Sequence, residues 1–515
     1  MGIPSYYRTL ITKIPHAIQR KAPSSTSTLV IDMNCMIYHV IKEPTMQSFL
    51  YPGESGRLSW ERKLQSEVCL YLQHIWRSAG SPLNVYVALD GVVPYAKIKQ
   101  QRFRRFKSAS ANSGSGWDTN AITPGTEFMK SMGEALRSIK HSWIISDTDE
   151  PGEGEHKVLQ WLRTTKTTPG PIIVYGLDAD LILLCLLAGD HLGSGYPIFL
   201  LREAMAFGKL VRLDESKEVD LCFFQISTLK ESLEREAKWS RQQLYDYIFG
   251  MSFCGNDFLP TGLSLRIRDD GHSILMACLH SLWKKGSHLV TFDSEGVARP
   301  NAEGLKAFAL WIQGQEERLI LTTIKRKFSA RLGENEDDNL PLIEQAEKPL
   351  VQFKPGTTEY VLRSDWFSTY NRLAIGDSSL DQRKARVQDF WRGWCWILDY
   401  YQGRRVDLEW VYPAGYPPTW KDLYDLFTIP GPDDWVLREA LKPKEQLTLV
   451  LPLSSWSLLL KTEYRKLPSM IPQFWPQGFA FESFGKRFGW ECEPMIPMLT
   501  PERLRFEWSR MNQMR

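Results

Sequence analysis

Seven acidic side chains carry the chemistry of this chain: Asp32, Asp90, Glu153, Glu155, Asp178, Asp180 and Asp257. Three of them close short apolar runs. Thr28 to Ile31 precede Asp32, Val85 to Leu89 precede Asp90, and Ile172 to Leu177 precede Asp178. A carboxylate in such a place projects from the C-terminal edge of a buried parallel strand, where open α/β sheets bind their ligands. Two hard cations roughly 3.5–4 Å apart need several oxygen ligands to hold them. The chemistry implied is metal-assisted hydrolysis of a phosphodiester. No single carboxylate is informative; the set is.

The local motifs are less decisive one by one. Gly152-Glu-Gly-Glu-His156 offers two glutamates at i and i+2 before a helical pattern from Lys157 to Arg163. It serves equally well as a polar helix start, since Glu suits a first turn. Tyr175-Gly-Leu-Asp-Ala-Asp180 can present two carboxylates to one or two ions. A helix N-cap over Leu181–Leu187 accounts for one Asp but not for both. Gly255-Asn-Asp-Phe-Leu-Pro260 on its own reads as a plain turn.

A basic element stands directly after Asp90. Lys97, Lys99, Arg102, Arg104, Arg105 and Lys107 fall within eleven residues that contain no acid. Pro94 fits a helix start. Lys97, Gln101, Arg104 and Arg105 then share one helical face at i, i+4, i+7 and i+8. Three cations and an amide on one face make a phosphate pocket, with forked contacts from Arg and a point charge from Lys. The alternatives are a solvated charged face or a targeting run. Both are weakened because like charges at this spacing repel unless an anion neutralises them.

These residues need a scaffold, and residues 1–285 supply its pattern. Candidate strands at Thr28–Asp32, Asn84–Asp90, Trp143–Ser146, Ile172–Gly176 and Ile198–Leu201 alternate with helical stretches such as Trp60–Ala79 and Glu127–Lys140. Such alternation predicts an α/β fold, a mostly parallel sheet with helices on both faces. Residues 286–350 read as a connecting segment, with Gly333 to Asn339 as a solvated acidic loop. Residues 351–515 hold 11 of the 19 Trp and predict a mixed α+β region packed on the first.

Length and composition bound the rest. A chain of 515 residues exceeds one hydrophobic core. Its net charge of +3 excludes bulk charge as the basis of nucleic-acid binding and leaves local patches. The eight Cys form no CxxC pair, so a disulfide scaffold and a zinc site are not expected. The start of the chain lacks a signal-peptide apolar core, and no run is long enough to span a bilayer. A soluble, intracellular protein is expected, cytoplasmic with the nucleus left open, without membrane contact and monomeric.

With these residues in hand, the chain resembles the XRN family of 5′→3′ exoribonucleases. The resemblance rests on Met1-Gly-Ile-Pro4, Ile31-Asp-Met-Asn34, Leu89 to Pro94, Lys97 to Arg105, Asn120 to Met129, Pro151 to Lys157, Tyr175 to Asp180, Leu201-Arg-Glu203 and Gly255 to Pro260, in that order. It continues through Trp366 to Leu373, Gly393 to Tyr401, Trp410 to Pro413, Leu449 to Pro452 and Phe474 to Leu504.

The resemblance implies a PIN-like core related to flap endonucleases. It implies that all seven carboxylates hold two Mg²⁺ ions, with Mn²⁺ as a substitute. It makes Lys97, Gln101, Arg104 and Arg105 the pocket for a 5′-monophosphate, and Trp366 the aromatic stacked on the 5′-terminal base, with Tyr38 sandwiching that base from the other side. Tyr38 stands where the family usually has His, with His39 beside it, and Tyr95 where the family usually has Arg. The insertion between the two conserved regions is short and the β-rich domains of large members do not follow, so a minimal version is expected. The implied activity is processive 5′→3′ degradation of single-stranded RNA with a 5′-monophosphate to nucleoside 5′-monophosphates. The competing readings are a structure-specific flap or DNA exonuclease on the same core, and a non-catalytic RNA-binding protein that kept the fold.

Overall fold

The computed structural model describes the chain except residues 1–5, 112–115, 207–208, 211–219, 235–237, 335, 377–378, 430, 432–435, 460–465 and 514–515. The motif at residues 1–4 therefore lies outside the described residues. The centre is a seven-stranded sheet: β1 (Ile18–Gln19), β2 (Thr28–Asp32), β3 (Asn84–Ala88), β4 (Ile144–Ser146), β5 (Ile172–Tyr175), β6 (Ile198–Glu203) and β7 (Leu221–Gln225). Their spatial order is β1-β7-β6-β5-β2-β3-β4. The five strands from β6 to β4 pair in parallel, and β7 and β1 close one edge antiparallel. All five strands expected from the sequence form. The antiparallel pair β1 and β7 was not expected: β1 is two residues long and β7 is a short run without clear alternation.

Strand periodicity divides the core in two. Leu29 and Ile31 of β2, Val85 and Val87 of β3, and Ile173 and Tyr175 of β5 pack into one apolar cluster. Val30, Tyr86, Ala88, Ile172 and Val174 pack into another on the opposite face. Successive side chains of a strand point to opposite faces, so both faces of the parallel sheet must be covered by helices.

Chain order places the functional edge. β2, β3 and β4 run outward in one direction, and β5 returns to the other side of β2. The order reverses between β2 and β5, the crevice where open α/β sheets hold ligands. Asp32 ends β2, and Asp178 follows β5 by three residues.

Four helices frame that crevice: α1 (Asn34–Ile41), α2 (Tyr95–Ala111), α3 (Gly154–Thr164) and α4 (Leu181–Leu192). The C-terminal region does not stand apart from them. Tyr95 OH donates to the Leu499 carbonyl at 2.9 Å, and Lys107 Nζ to those of Gly489 and Cys492 at 2.6 and 3.0 Å. Leu447, Leu449, Trp475 and Leu499 belong to the same apolar cluster as β2 and β3. That region is mixed as expected, with long helices such as Leu380–Tyr401 and short hairpins such as Val351–Phe353 with Tyr360–Leu362.

The solvated loop expected at Gly333 to Asn339 is overturned in part. A helix runs from Glu336 to Glu344, and buried Asn339 folds back to accept from Gly333 N and donate to Gly333 O. The amide satisfies the chain turn that a charge-only reading leaves to water.

Candidate active site

The sheet edge gathers the acids. Asp32, at the end of β2, is buried against the start of α3, where a Cβ on Gly154 would overlap its carboxylate. Gly154 therefore has a local reason to be glycine: it lets a helix terminus approach a carboxylate. Asp90 is fixed from both sides. It accepts from Gly154 N at 2.7 Å and from Asn34 Nδ2 at 2.9 Å, while its own N–H donates to Asn34 Oδ1. Glu153 precedes α3 and Glu155 lies in its first turn, both buried. Asp180 sits immediately before α4 but makes no side-chain cap bond there, so the capping alternative does not account for it.

The Gly255–Pro260 segment is both turn and site. Gly255 takes a positive φ of 89° with no room for a side chain beside Thr261. Asn256 Oδ1 accepts from the N–H groups of Phe258 and Leu259, both at 2.9 Å. With Asn256 holding the turn, Asp257 faces Lys97.

Lys97 is the buried counter-charge of the cluster. Its Nζ lies 2.6 Å from Glu153 Oε1 and 2.5 Å from Asp257 Oδ2. Gln100 Nε2 also donates to Asp257 Oδ1, and Tyr400 OH donates to Glu153 Oε2 at 3.2 Å. Burial alone would raise the pKa of Asp257, but Lys97 holds it well below the usual carboxylate range. The opposite holds across the site. Burial, reinforced by Asp90 and Asp178, pushes Asp32 well above that range. Burial, reinforced by Asp257 and Asp178, pushes Asp180 up to about 7. Burial and the neighbouring Asp180 raise Glu155 likewise.

One lysine cannot neutralise this many acids, and the unmet demand has an address. Glu155 Oε2 and Asp180 Oδ1 are buried without a hydrogen-bond partner. Ligand atoms of Glu155, Asp178 and Asp180 all lie within 4.8 Å of one another, as do those of Glu153, Glu155 and His156. Buried carboxylate oxygens with no donor are costly unless a cation meets them. The all-oxygen set of Glu155, Asp178 and Asp180 fits a hard divalent cation.

The cationic helix stands beside the acids as its register requires. A cavity of about 430 Å³ is lined by Lys97, Gln101, Arg104 and Arg105 from α2, by Tyr38 from α1, and by Asp32, Asp90, Glu153, Glu155 and Asp178. Arg105 Nη1 donates to Thr123 Oγ1 at 2.5 Å, and Gln101 Oε1 accepts from Gln446 Nε2 at 3.3 Å. Nε and Nη2 of Arg104 find no hydrogen-bond acceptor, and its Nη2 stands 3.9 Å from Asp257. The cavity thus holds orphaned donors on one wall and orphaned carboxylate oxygens beside the other.

The two candidate stacking aromatics part company. Tyr38 lines the cavity and is 42% exposed, while His39 turns inward to Glu43 at 3.1 Å and packs on Tyr71. Trp366 does not join Tyr38, contrary to the sandwich that the resemblance implies. It is 7% exposed, packs in a third apolar cluster with Leu263 and Ile320, and donates its indole N–H to Glu317 at 3.1 Å. It is buried with its polar tip satisfied and does not line the cavity in which Tyr38 stands.

Sequence reasoning missed Asn34, Gln100, Asn256 and Tyr400. Asn34 was visible inside the Ile31–Asn34 motif. Tyr400 lies some 250 residues from the acid it touches, and its only signal was membership of an aromatic run.

The fold and this edge define an α/β protein with a buried acidic cluster able to hold a divalent cation, beside a cavity wall lined by cationic side chains. A family model described as XRN 5'-3' exonuclease N-terminus matches residues 1–115 and 109–203, and one described as Xrn1 helical domain matches residues 366–514. The chain belongs to the XRN family. It is 27% identical to human 5'-3' exoribonuclease 1 over 98% of this chain and 34% of that protein. It is 26% identical to 5'-3' exoribonuclease 2 of Arabidopsis thaliana, over 98% of this chain and 66% of that protein. Against 5'-3' exoribonuclease 1 of Saccharomyces cerevisiae the identity is 29%, over 98% and 43%. The chain spans between a third and two thirds of the length of these relatives.

Proposed function

We propose that this protein is a 5′→3′ exoribonuclease that removes nucleoside 5′-monophosphates one at a time from single-stranded RNA with a 5′-monophosphate. The observation that carries this is the single cavity in which the cationic face of α2 and five of the seven acids meet. The names of the relatives support the direction and the substrate class. The sheet order is consistent with a PIN-like core.

Lys97, Gln101, Arg104 and Arg105 receive the 5′-phosphate, and the unsatisfied nitrogens of Arg104 offer it a forked contact. Tyr38 supports the first base on its exposed ring, a contact worth roughly 1–3 kcal/mol in other single-strand binders. Asp32, Asp90, Glu153, Glu155, Asp178, Asp180 and Asp257 are the residues that would hold Mg²⁺ or Mn²⁺. Bound there, divalent cations supply Lewis-acid charge and lower the pKa of water. Asn34 and Gly154 keep Asp90 aimed at the site, and Tyr400 does the same for Glu153. Lys97 links the two functions, because its ammonium touches the acids and also lines the phosphate pocket.

A cavity of about 430 Å³ suits one nucleotide. A cap on the 5′ end would not fit, and a 5′-hydroxyl would leave the unpartnered nitrogens of Arg104 without their anion. Each cleavage leaves a new 5′-phosphate, so the product chain refits the pocket. The test is a digestion series on RNAs that differ only at the 5′ end, with and without divalent cation, beside a single-stranded and a flap DNA. Preferential, cation-dependent release of mononucleotides from the 5′-monophosphorylated RNA is expected. Equal degradation of the 5′-hydroxyl RNA would overturn the pocket assignment, and preference for flap DNA would overturn the substrate class.

A further inference from the structure

A second cavity, of about 210 Å³, lies along the neighbouring face of α2, lined by its Gln100, Phe103, Arg104 and Lys107. Arg104 lines both cavities, and Asp257, paired with Lys97 on the first side, lines the second. From buried Asp257 this cavity leads past Arg266, Arg268 and Lys486 to Trp490, which is 45% exposed. Trp490 stacks on Phe488 with ring planes 12° apart, and the Arg268 guanidinium lies over both rings at 4.7 and 4.8 Å. Arg266 Nη1 donates to the Gly485 carbonyl at 2.6 Å, and both Arg266 and Arg268 stand near Glu491, at 3.8 and 3.9 Å.

A stacked aromatic pair with an open face, backed by guanidinium and ammonium groups, is what a single nucleic-acid strand needs. The rings take a base without regard to sequence, and the cations follow the backbone. The position decides which part of the strand. If the 5′ nucleotide occupies the first cavity, the bond to be cut lies among the acids. The strand 3′ of that bond must then leave on the far side of them.

We propose that the second cavity is the track for the RNA 3′ of the scissile bond, with Trp490 as the stacking platform and Arg266, Arg268 and Lys486 as the phosphate contacts. This rests on the proposed function, and it adds a length requirement that the first cavity alone does not impose. RNAs long enough to reach Trp490 gain from it, and a 5′-phosphorylated dinucleotide does not.

The test compares kcat/KM on a single-stranded RNA of about ten nucleotides with that on a 5′-phosphorylated dinucleotide, in the full chain with divalent cation. Trp490→Ala should lower the ratio of the two values by about tenfold, and Trp490→Phe should restore most of it. The ratio is internal to each variant, so partial loss of folded protein does not move it. An unchanged ratio in Trp490→Ala overturns the track. If the unsubstituted protein hydrolyses neither RNA, the proposed function falls, and binding of the longer RNA by fluorescence anisotropy decides the track alone. A dissociation constant about tenfold weaker in Trp490→Ala supports it, and an unchanged one overturns it.

Discussion

The two faces of α2 use the same residue types for opposite ends. Lys97, Gln101, Arg104 and Arg105 look into the cavity beside the acids. Lys99, Arg102 and Lys107 look away from it and donate to main-chain carbonyls of the C-terminal region. Lys99 reaches Tyr412 O at 3.2 Å, and Arg102 Nη1 reaches Leu449 O at 2.6 Å. Arg102 also donates to Phe474 O, and its guanidinium lies 4.4 Å from the Phe106 ring centroid, with no exposed surface. Burial pulls its pKa down to about 10, so it is still cationic at neutral pH. On the cavity face Arg104 leaves Nε and Nη2 unpartnered; on the other face every cation donates to a main-chain carbonyl of the C-terminal region, with Nε of Arg102 alone left over. A run of six cations is therefore two devices, separated only by helical phase.

The sharpest way to break the comparison is to remove the acids that the cavity face serves. Asp178→Ala should lower turnover on 5′-monophosphorylated RNA by at least about 10³-fold while circular dichroism stays that of the parent. Retained activity in a pure preparation would place the chemistry elsewhere.

The next largest effect separates the two faces. Arg102→Met leaves the Leu449 and Phe474 carbonyls without a donor and should cost about 2–4 kcal/mol of stability, read as a lower denaturant midpoint. Arg104→Met should leave the midpoint close to the parent and raise KM for 5′-monophosphorylated RNA by about tenfold or more. If both variants lose stability equally, the division of the helix into two faces is wrong.

Aromatic residues allow the same contrast. Trp366→Ala removes a buried ring and should cost about 3–5 kcal/mol, with KM of the surviving folded fraction unchanged. Tyr38→Ala should leave stability nearly intact and raise KM by about fivefold or more. A KM effect confined to Trp366→Ala would restore the sandwich that the structure does not form.

The smallest expected effect is a pH dependence. Asp180 has a pKa raised in the folded state to about 7, above its ordinary value of 3.8. A carboxylate raised in this way lowers stability progressively as pH climbs through the window between those values, because the folded form must give up a proton it favours. A divalent cation that takes the proton's place relieves that cost. The gain in Tm on adding Mn²⁺ should therefore be larger near about pH 8 than near about pH 6. An equal gain at both would argue that Asp180 is not a ligand.

Much of the scaffold was legible in the chain. Apolar runs that end in Asp marked β2, β3 and β5, because a strand buried on both faces must be apolar throughout while its end emerges at a polar edge. The helical phase of Lys97, Gln101, Arg104 and Arg105 was legible for the same kind of reason: 3.6 residues per turn fixes which side chains share a face. β1 and β7 were not: β1 spans only two residues, and β7, unlike β2, β3 and β5, has no acid at its end to mark it.

The sequence by itself determined the order of the strands' apolar runs, the acids at their ends and the cationic face that follows Asp90, all consequences of local periodicity. Only the tertiary structure decided which carbonyls Arg102 reaches, that Asn34 and Tyr400 brace Asp90 and Glu153, that Tyr38 rather than His39 faces the cavity, and that Trp366 is buried away from it. Those outcomes depend on the packing of one segment against another, as with Asn34 and Asp90, 56 residues apart, and Arg102 and Leu449, 347 residues apart. A side chain's neighbours across that separation leave no trace in the spacing of the chain.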